Sequence, residues 1–224
     1  MHPIARRWHG RVLALLAVSA VAALGGQAKP ALVEWKTYGA DLANTRYSPL
    51  DQITAGNFGK LQVAWRFKAD NMGPTPEYNF EVTPLMANGV VYLLAGTRRA
   101  AMALDAVTGE MLWMHSINEG PRGQAAPRQL SGRGLAYWSD GASARIIYVT
   151  PGYQMVALDA KTGVPVQGFG VNGVVDLKQD MDQEMDPVTG EVGLHATPLV
   201  VRDTIVVGAA HMPGSVPKIG RAHV

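Results

Sequence analysis

An arginine set between two glycines is the first place in this 224-residue sequence where chemistry could sit. The run Arg128-Gln129-Leu130-Ser131-Gly132-Arg133-Gly134-Leu135-Ala136-Tyr137-Trp138 places the planar, charged fork of Arg133 in a loop that leads into an aromatic strand. Such a fork suits a carboxylate, and flanking glycines let a backbone come close to a ligand. The same residues also suit a solvated loop, and residue types alone favour that plainer reading. Arg98-Arg99 could likewise turn toward an anion, with a solvated pair as the simpler expectation. Asp180, Asp182, Glu184 and Asp186 alternate like one face of a strand, but the glycine and terminal glutamate of a calcium loop are not at the right spacing, so a solvated acidic loop is expected. His115, His195 and His211 have no partner at ligand spacing and are expected to be structural. Nothing resembles a phosphate-cradling glycine loop or a nucleophile elbow. With no cysteine, a thiolate metal site, a Cys nucleophile and any disulfide are excluded.

The elements that must position these residues repeat. Ala103-Leu104-Asp105-Ala106-Val107-Thr108-Gly109-Glu110-Met111-Leu112-Trp113 returns, shortened, as Ala157-Leu158-Asp159-Ala160-Lys161-Thr162-Gly163. Each copy follows an apolar β-type run containing a tyrosine, Tyr92 in one and Tyr148 in the other. The pattern is strand, tight turn, strand: the Asp carboxylate accepts backbone N–H groups two or three residues on, and the Gly supplies positive φ. Trp113 then offers a large flat surface on the outgoing strand.

A first unit spans about 80–115, with strands expected at 81–86, 90–94, 101–104 and 110–115 and a two-residue Asn88-Gly89 hairpin. A second is built on 145–149 and 155–158, with 163–175 following. A third begins at Thr197-Pro198-Leu199, which repeats Thr83-Pro84-Leu85. The turns lie 54 residues apart and the Thr-Pro-Leu strands 114 apart, which is two steps of 57. A period near 55 with four strands per unit points to an all-β fold, a partial β-propeller. Upstream, residues 53–61 could hold a short helix capped by Thr54, and 61–67 alternate as a half-buried strand.

Composition sets the compartment. Residues 1–28 read as a secretory signal: basic up to Arg11, an uncharged apolar run over 12–24, then Gly26-Gln27-Ala28 at the cleavage site. That run of 13 residues is shorter than the roughly 20 a membrane-spanning helix needs. Removing Arg6, Arg7 and Arg11 with it leaves 17 of the 20 basic residues against 18 acidic ones, a net −1 that argues against nucleic acid as a partner. A periplasmic location is expected.

The mature part, 29–218, holds about three and a half units, fewer than a closed propeller uses, and the third unit does not reach its Asp-x-x-Thr-Gly turn. Where that turn is due stands Ile219-Gly220-Arg221-Ala222-His223-Val224, which resembles the in-frame translation of a common sequencing-library adapter. The expectation is an N-terminal fragment ending in six residues, 219–224, without biological content.

These motifs together resemble a known family. Ala-x-Asp-x-x-Thr-Gly-x-x-x-Trp on a propeller blade is similar to the tryptophan-docking repeat of the quinoproteins that use pyrroloquinoline quinone (PQQ). Arg133-Gly134-Leu135-Ala136-Tyr137-Trp138 resembles the segment whose arginine holds the quinone. The opening Trp35, Tyr38-Gly39, Asn44, Arg46-Tyr47-Ser48-Pro49-Leu50 resembles the family's N-terminal segment. The likeness covers nearly all of 32–218 and sits nearest the glucose, quinate and polyol dehydrogenase type. It implies an eight-bladed propeller, of which this chain holds the first three or so four-stranded blades, with PQQ at its centre and Ca²⁺ beside it.

By the same resemblance Glu81, Arg133 and Thr150 are the cofactor-binding residues: Glu81 lines the quinone, Arg133 pairs with a carboxylate of the tricarboxylate cofactor and Thr150 donates a hydroxyl. Pro127-Arg128 stand where the alcohol and methanol branch has adjacent cysteines, which disfavours that branch. Gly208-Ala209-Ala210-His211-Met212 lacks that branch's calcium-ligating glutamate, so no metal ligand is assigned. The catalytic aspartate and the metal ligands are expected outside this chain. The implied reaction is oxidation of an alcohol group on a sugar, polyol or related substrate. A metal polarises the quinone, a carboxylate takes the hydroxyl proton, hydride passes to the cofactor, and electrons leave to ubiquinone or cytochrome c. A non-catalytic propeller scaffold of outer-membrane assembly type is the alternative.

Overall fold

The computed structural model describes residues 33–69, 72–73, 75–182 and 184–210. The expected export signal at 1–28, His211 and the six C-terminal residues lie outside the described residues.

Two four-stranded antiparallel sheets and the start of a third follow one another along the chain. The first blade is β1 (Leu85–Ala87), β2 (Val90–Ala95), β3 (Ala100–Asp105) and β4 (Met111–His115), paired in chain order. The second is β5 (Ala136–Ser139), β6 (Ala144–Val149), β7 (Gln154–Asp159) and β8 (Val174–Asp176), paired the same way. A hairpin of β9 (Leu199–Val201) and β10 (Thr204–Val206) opens the third. One short helix, α1 (Pro121–Gln124), lies between the blades.

The meander arises from local turn chemistry. Asn88 and Gly89 both adopt positive φ, 52° and 77°, so β1 turns tightly into β2 as the Asn-Gly pair predicts. β1 starts at Leu85 and not at Glu81. Pro84 has no N–H for a ladder, and Thr83 gives its N–H to the Arg133 carbonyl of the next blade at 2.9 Å. Residues 53–61 form only one 3-10 turn, Phe58–Lys60. Thr54 accepts the Phe58 N–H with its carbonyl, not its hydroxyl. The expected strand at 61–67 does not form: no strand among the described residues pairs with it.

Blade two is buried on both faces, which is why its strands read as continuous apolar runs. Side chains alternate across it. Ile146, Tyr148, Val156 and Leu158 enter a core shared with Leu85, Tyr92, Leu94, Met102 and Leu104 of blade one. Ile147, Val149, Met155 and Ala157 enter a second core with Tyr153, Val192, Leu194 and Val207. Inserting one residue in β6 would exchange Ile146 and Tyr148 with Ile147 and Val149 across the sheet.

The repeated turns lock each blade to the one before it. Asp105 Oδ1 accepts the N–H of Val107 and Thr108 and the Thr108 hydroxyl, at 2.9, 2.7 and 3.0 Å. Asp159 does the same for Lys161 and Thr162. The Trp113 indole donates to the Ala160 carbonyl at 3.0 Å and lies on Gly163, where a Cβ would stand 2.6 Å from the ring. Trp65 repeats the arrangement on the first turn, donating to Ala106 at 3.2 Å and covering Gly109. Residues 61–67 therefore occupy the place of an outer strand, as 111–115 do in blade one. Gln167 replaces the tryptophan in the second copy, and Phe169 packs into the second core instead.

A third Asp-x-x-Thr-Gly turn, not expected from the period, occurs at Asp186-Pro187-Val188-Thr189-Gly190. Asp186 Oδ1 accepts Val188 N–H, Thr189 N–H and the Thr189 hydroxyl at 2.8, 2.6 and 2.9 Å. It follows Asp159 by only 27 residues, lies between blades, and carries no docked tryptophan. The motif closes a turn wherever it occurs; what marks a blade is the indole that covers its glycine.

Candidate functional site

Three consecutive sheets each lead into their first strand through one polar residue: Glu81 before β1, Arg133 before β5 and His195 before β9. A backbone relay ties these approaches together. Thr83 N–H donates to the Arg133 carbonyl at 2.9 Å, and Arg133 N–H donates to the His195 carbonyl at 3.0 Å. The glycines beside Arg133 serve this relay. A Cβ on Gly134, at φ +139°, would meet Thr83 O at 3.0 Å, and one on Gly132 would meet His195 O at 3.3 Å. They admit neighbouring backbone and, at Gly132, the Arg99 guanidinium.

The three side chains then converge. Glu81 Oε2 lies 2.7 Å from His195 Nε2 and 3.7 Å from Arg133 Nη2. The hydrogen bond with His195, aided by the Arg133 charge, holds the Glu81 carboxyl below the usual carboxylate range. With Nε2–H given to Glu81, the His195 Nδ1 atom stays buried and without a partner among the described residues.

All three line a cavity of about 660 Å³ together with Tyr78, Asn79, Thr97 and Arg128. Thr97 Oγ1 and Arg128 Nε are also buried there without partners among the described residues. Such unpaired groups are costly unless a ligand or solvent meets them. With Arg128 and Arg133 beside Glu81, the arrangement is a basic, polar pocket with one carboxylate, suited to an anion carrying carboxylate oxygens. Arg133 also borders a smaller, largely apolar cavity of about 370 Å³, lined by Tyr38, Leu42, Tyr137 and Pro198.

The expected site residues are therefore divided. Glu81 and Arg133 meet. Thr150 is buried within blade two, its hydroxyl donating to Glu119 Oε1 at 2.7 Å and accepting Gln154 N–H at 3.0 Å, and it does not line the cavity. His195, expected to be structural, stands on Glu81. The signal for it was in the repeat: the register that aligns Thr83-Pro84-Leu85 with Thr197-Pro198-Leu199 also aligns Glu81 with His195. His115 is structural, its Nδ1 3.1 Å from the Tyr148 hydroxyl, and burial lowers its pKa. Arg98 and Arg99 part ways: Arg98 is exposed, while Arg99 is only 2 % exposed. Asp180, Asp182, Glu184 and Asp186 are exposed, and no group of three His, Asp or Glu side chains among the described residues is placed to hold a metal ion.

Comparison with known proteins agrees with this fold. Residues 35–221 match the family model described as PQQ: glucose/ethanol/alcohol dehydrogenase, beta-propeller domain. The chain is 31 % identical over 197 residues to the glycerol dehydrogenase large subunit of Gluconobacter oxydans (strain 621H), covering 84 % of this chain and 26 % of that protein. The alcohol dehydrogenase (quinone) dehydrogenase subunit of the same strain is 42 % identical over 135 residues, 58 % of this chain and 16 % of that protein. The quinate/shikimate dehydrogenase (quinone) of Acinetobacter baylyi is 30 % identical over 215 residues, covering 82 % of this chain and 26 % of its own. A europium-containing methanol dehydrogenase superposes with a TM-score of 0.62 at 24 % identity, over 84 % of this chain and 29 % of that one. The chain spans about a quarter of the length of the first of these relatives. Relatives named for alcohol, glycerol and quinate all match, so likeness alone does not separate the branches.

Proposed function

Because this chain belongs to the β-propeller family of the PQQ-dependent glucose, ethanol and alcohol dehydrogenases, we propose that it forms part of a periplasmic quinoprotein dehydrogenase. The full-length protein oxidises an alcohol group of a sugar, polyol or related substrate and passes the electrons to a quinone or cytochrome. The chain by itself is inactive.

The observation that carries this reading is the meeting of Glu81, Arg133 and His195 on one cavity from three successive sheets. The residues present fit a planar tricarboxylate. The cavity of about 660 Å³ lies in the range of small-molecule sites. Arg133 offers a fork to a carboxylate, and Tyr78, Asn79, Thr97 and Arg128 complete a polar lining. When bound, PQQ supplies a two-electron acceptor for hydride. The part of this chain is to bind and orient: Arg133 neutralises charge, and Glu81, kept ionised by His195, fixes the imidazole and the guanidinium on one wall. No set of described residues is placed to hold a calcium ion.

The test is to express the full-length gene, add PQQ with Ca²⁺, and assay dye reduction with glucose, quinate and ethanol. Cofactor binding with turnover of one substrate class is the expected result. A folded full-length protein that binds no PQQ would instead support the scaffold reading.

A further inference from the structure

Arg99 is the most deeply buried cation among the described residues, 2 % exposed, and the four acceptors described for its guanidinium are all backbone carbonyls. Nε donates to Leu130 O at 2.8 Å and Nη2 to Arg128 O at 3.0 Å. Nη1 donates to Val149 O at 2.8 Å and, more loosely, to Thr150 O at 3.5 Å. One rigid fork thus joins the β2–β3 turn, the end of β6 and the loop that runs into Ser131-Gly132-Arg133. The residue holds a left-handed backbone, φ +51°, and Gly132 packs on its guanidinium, where a Cβ would stand 3.4 Å from Cζ.

Such a placement is costly and specific. Burial lowers the Arg99 pKa to about 10, so the side chain stays charged at neutral pH and its charge lies directly behind the loop carrying Arg128 and Arg133. A plain structural tie could be made by a neutral amide or by apolar packing. A planar cation satisfying carbonyls from two segments fixes their relative position in a way lysine cannot reproduce. We propose that Arg99 is the positioning residue of the anion site, holding the 128–133 loop, and with it the Arg133 fork, in its binding geometry before any ligand arrives. This rests on the reading of the 660 Å³ cavity as the cofactor site.

The test uses the full-length protein. In the cofactor-free wild type, hydrogen exchange of the 128–133 segment should already be slow; protection that appears only when PQQ is added would overturn the proposal. Arg99→Lys keeps the charge and loses the fork. It should weaken PQQ binding about tenfold, the order of one weakened charge-assisted hydrogen bond, and speed exchange of the loop. In an Arg133→Ala background the same change should have little further effect on PQQ affinity, a non-additivity that general destabilisation would not produce. If Arg133→Ala weakens PQQ binding and Arg99→Lys leaves it unchanged, the positioning role fails alone. If Arg133→Ala itself leaves affinity unchanged, the cofactor reading fails and takes the positioning role with it. Should Arg99→Lys not fold, exchange in the cofactor-free wild type decides.

Discussion

Glu81 and His195 stand 114 residues apart in the chain and 2.7 Å apart in space. The separation is two steps of the blade repeat, so the same register that stacks the sheets brings the residues before β1 and β9 onto one cavity wall. Arg133, before β5, lies between them in sequence and pairs with the same carboxylate oxygen. A side chain that precedes a first strand therefore differs in kind from one inside a blade. It is presented to the shared cavity, whereas Thr150, at the end of β6, is enclosed within blade two.

Removing this constellation should affect binding before folding. Arg133 is half exposed, so Arg133→Ala should leave thermal stability nearly unchanged while weakening PQQ binding of the full-length protein about tenfold or more, the worth of a charge-assisted hydrogen bond. His195→Ala should also weaken it, because Glu81 then loses its hydrogen-bond partner and turns its charge on the anion. Equilibrium titration by fluorescence quenching measures both. Wild-type affinity in both variants would show that the cavity is not the cofactor site.

Glycine at the docking turn is required twice over, by its φ of +71° and by the indole lying on it. Gly163→Ala should destabilise by roughly 1–3 kcal/mol through strain and displacement of Trp113. Gly89→Ala has the backbone strain but open space around the new methyl, so it should cost less. Thermal denaturation compares the pair, and equal losses would show that indole docking adds nothing.

Trp113 is the converse probe. Its ring covers Gly163 and its N–H satisfies Ala160 O. Trp113→Ala should cost about 3 kcal/mol, and Trp113→Phe less, since the phenyl ring keeps part of the packing but leaves that carbonyl unpaired. Chemical denaturation measures both losses, and a fluorescence titration should show PQQ affinity unchanged where the variants stay folded.

Part of the acid sensitivity should trace to Asp176. Arg122 Nη1 and Nη2 donate to its two oxygens at 2.7 and 2.5 Å, and this pairing is the main cause that lowers the Asp176 pKa. A carboxylate with a depressed folded-state pKa contributes stability that is fully present above the ordinary aspartate range and is lost as pH falls through the depressed value. Asp176→Asn should therefore cost roughly 3 kcal/mol at neutral pH, with the gap to wild type closing below the ordinary aspartate range. Melting temperatures from pH 7 downward measure this; a gap that does not narrow would place the acid-labile group elsewhere.

Much of the architecture was legible because it is written in short-range chemistry. Asp105 and Asp159 close their turns with atoms three residues away, Asn88-Gly89 makes its hairpin alone, and the runs in β2, β3, β6 and β7 state that both blade faces are buried. The same locality explains what was misread. Asp186 builds an identical turn without being part of a blade. The strand at 61–67 has the right alternation but no described neighbour to pair with, and only the seat of Trp65 on Gly109 reveals its rank as an outer strand.

By itself the sequence determined the repeat, its period and the two strands that flank each turn, since periodicity and turn chemistry act between near neighbours; the candidacy of Arg133 and Glu81 came from the resemblance of their motifs to the quinoprotein family. The repeat set His195 in register with Glu81, but only the tertiary structure brought the two into contact, turned Thr150 inward to Glu119 and sealed Arg99, expected to be one of a solvated pair, behind the Arg133 loop. Those outcomes depend on which backbones the stacked sheets bring within hydrogen-bond reach. Residues equivalent in type are sorted there by whether a carbonyl, a carboxylate or a cavity happens to face them.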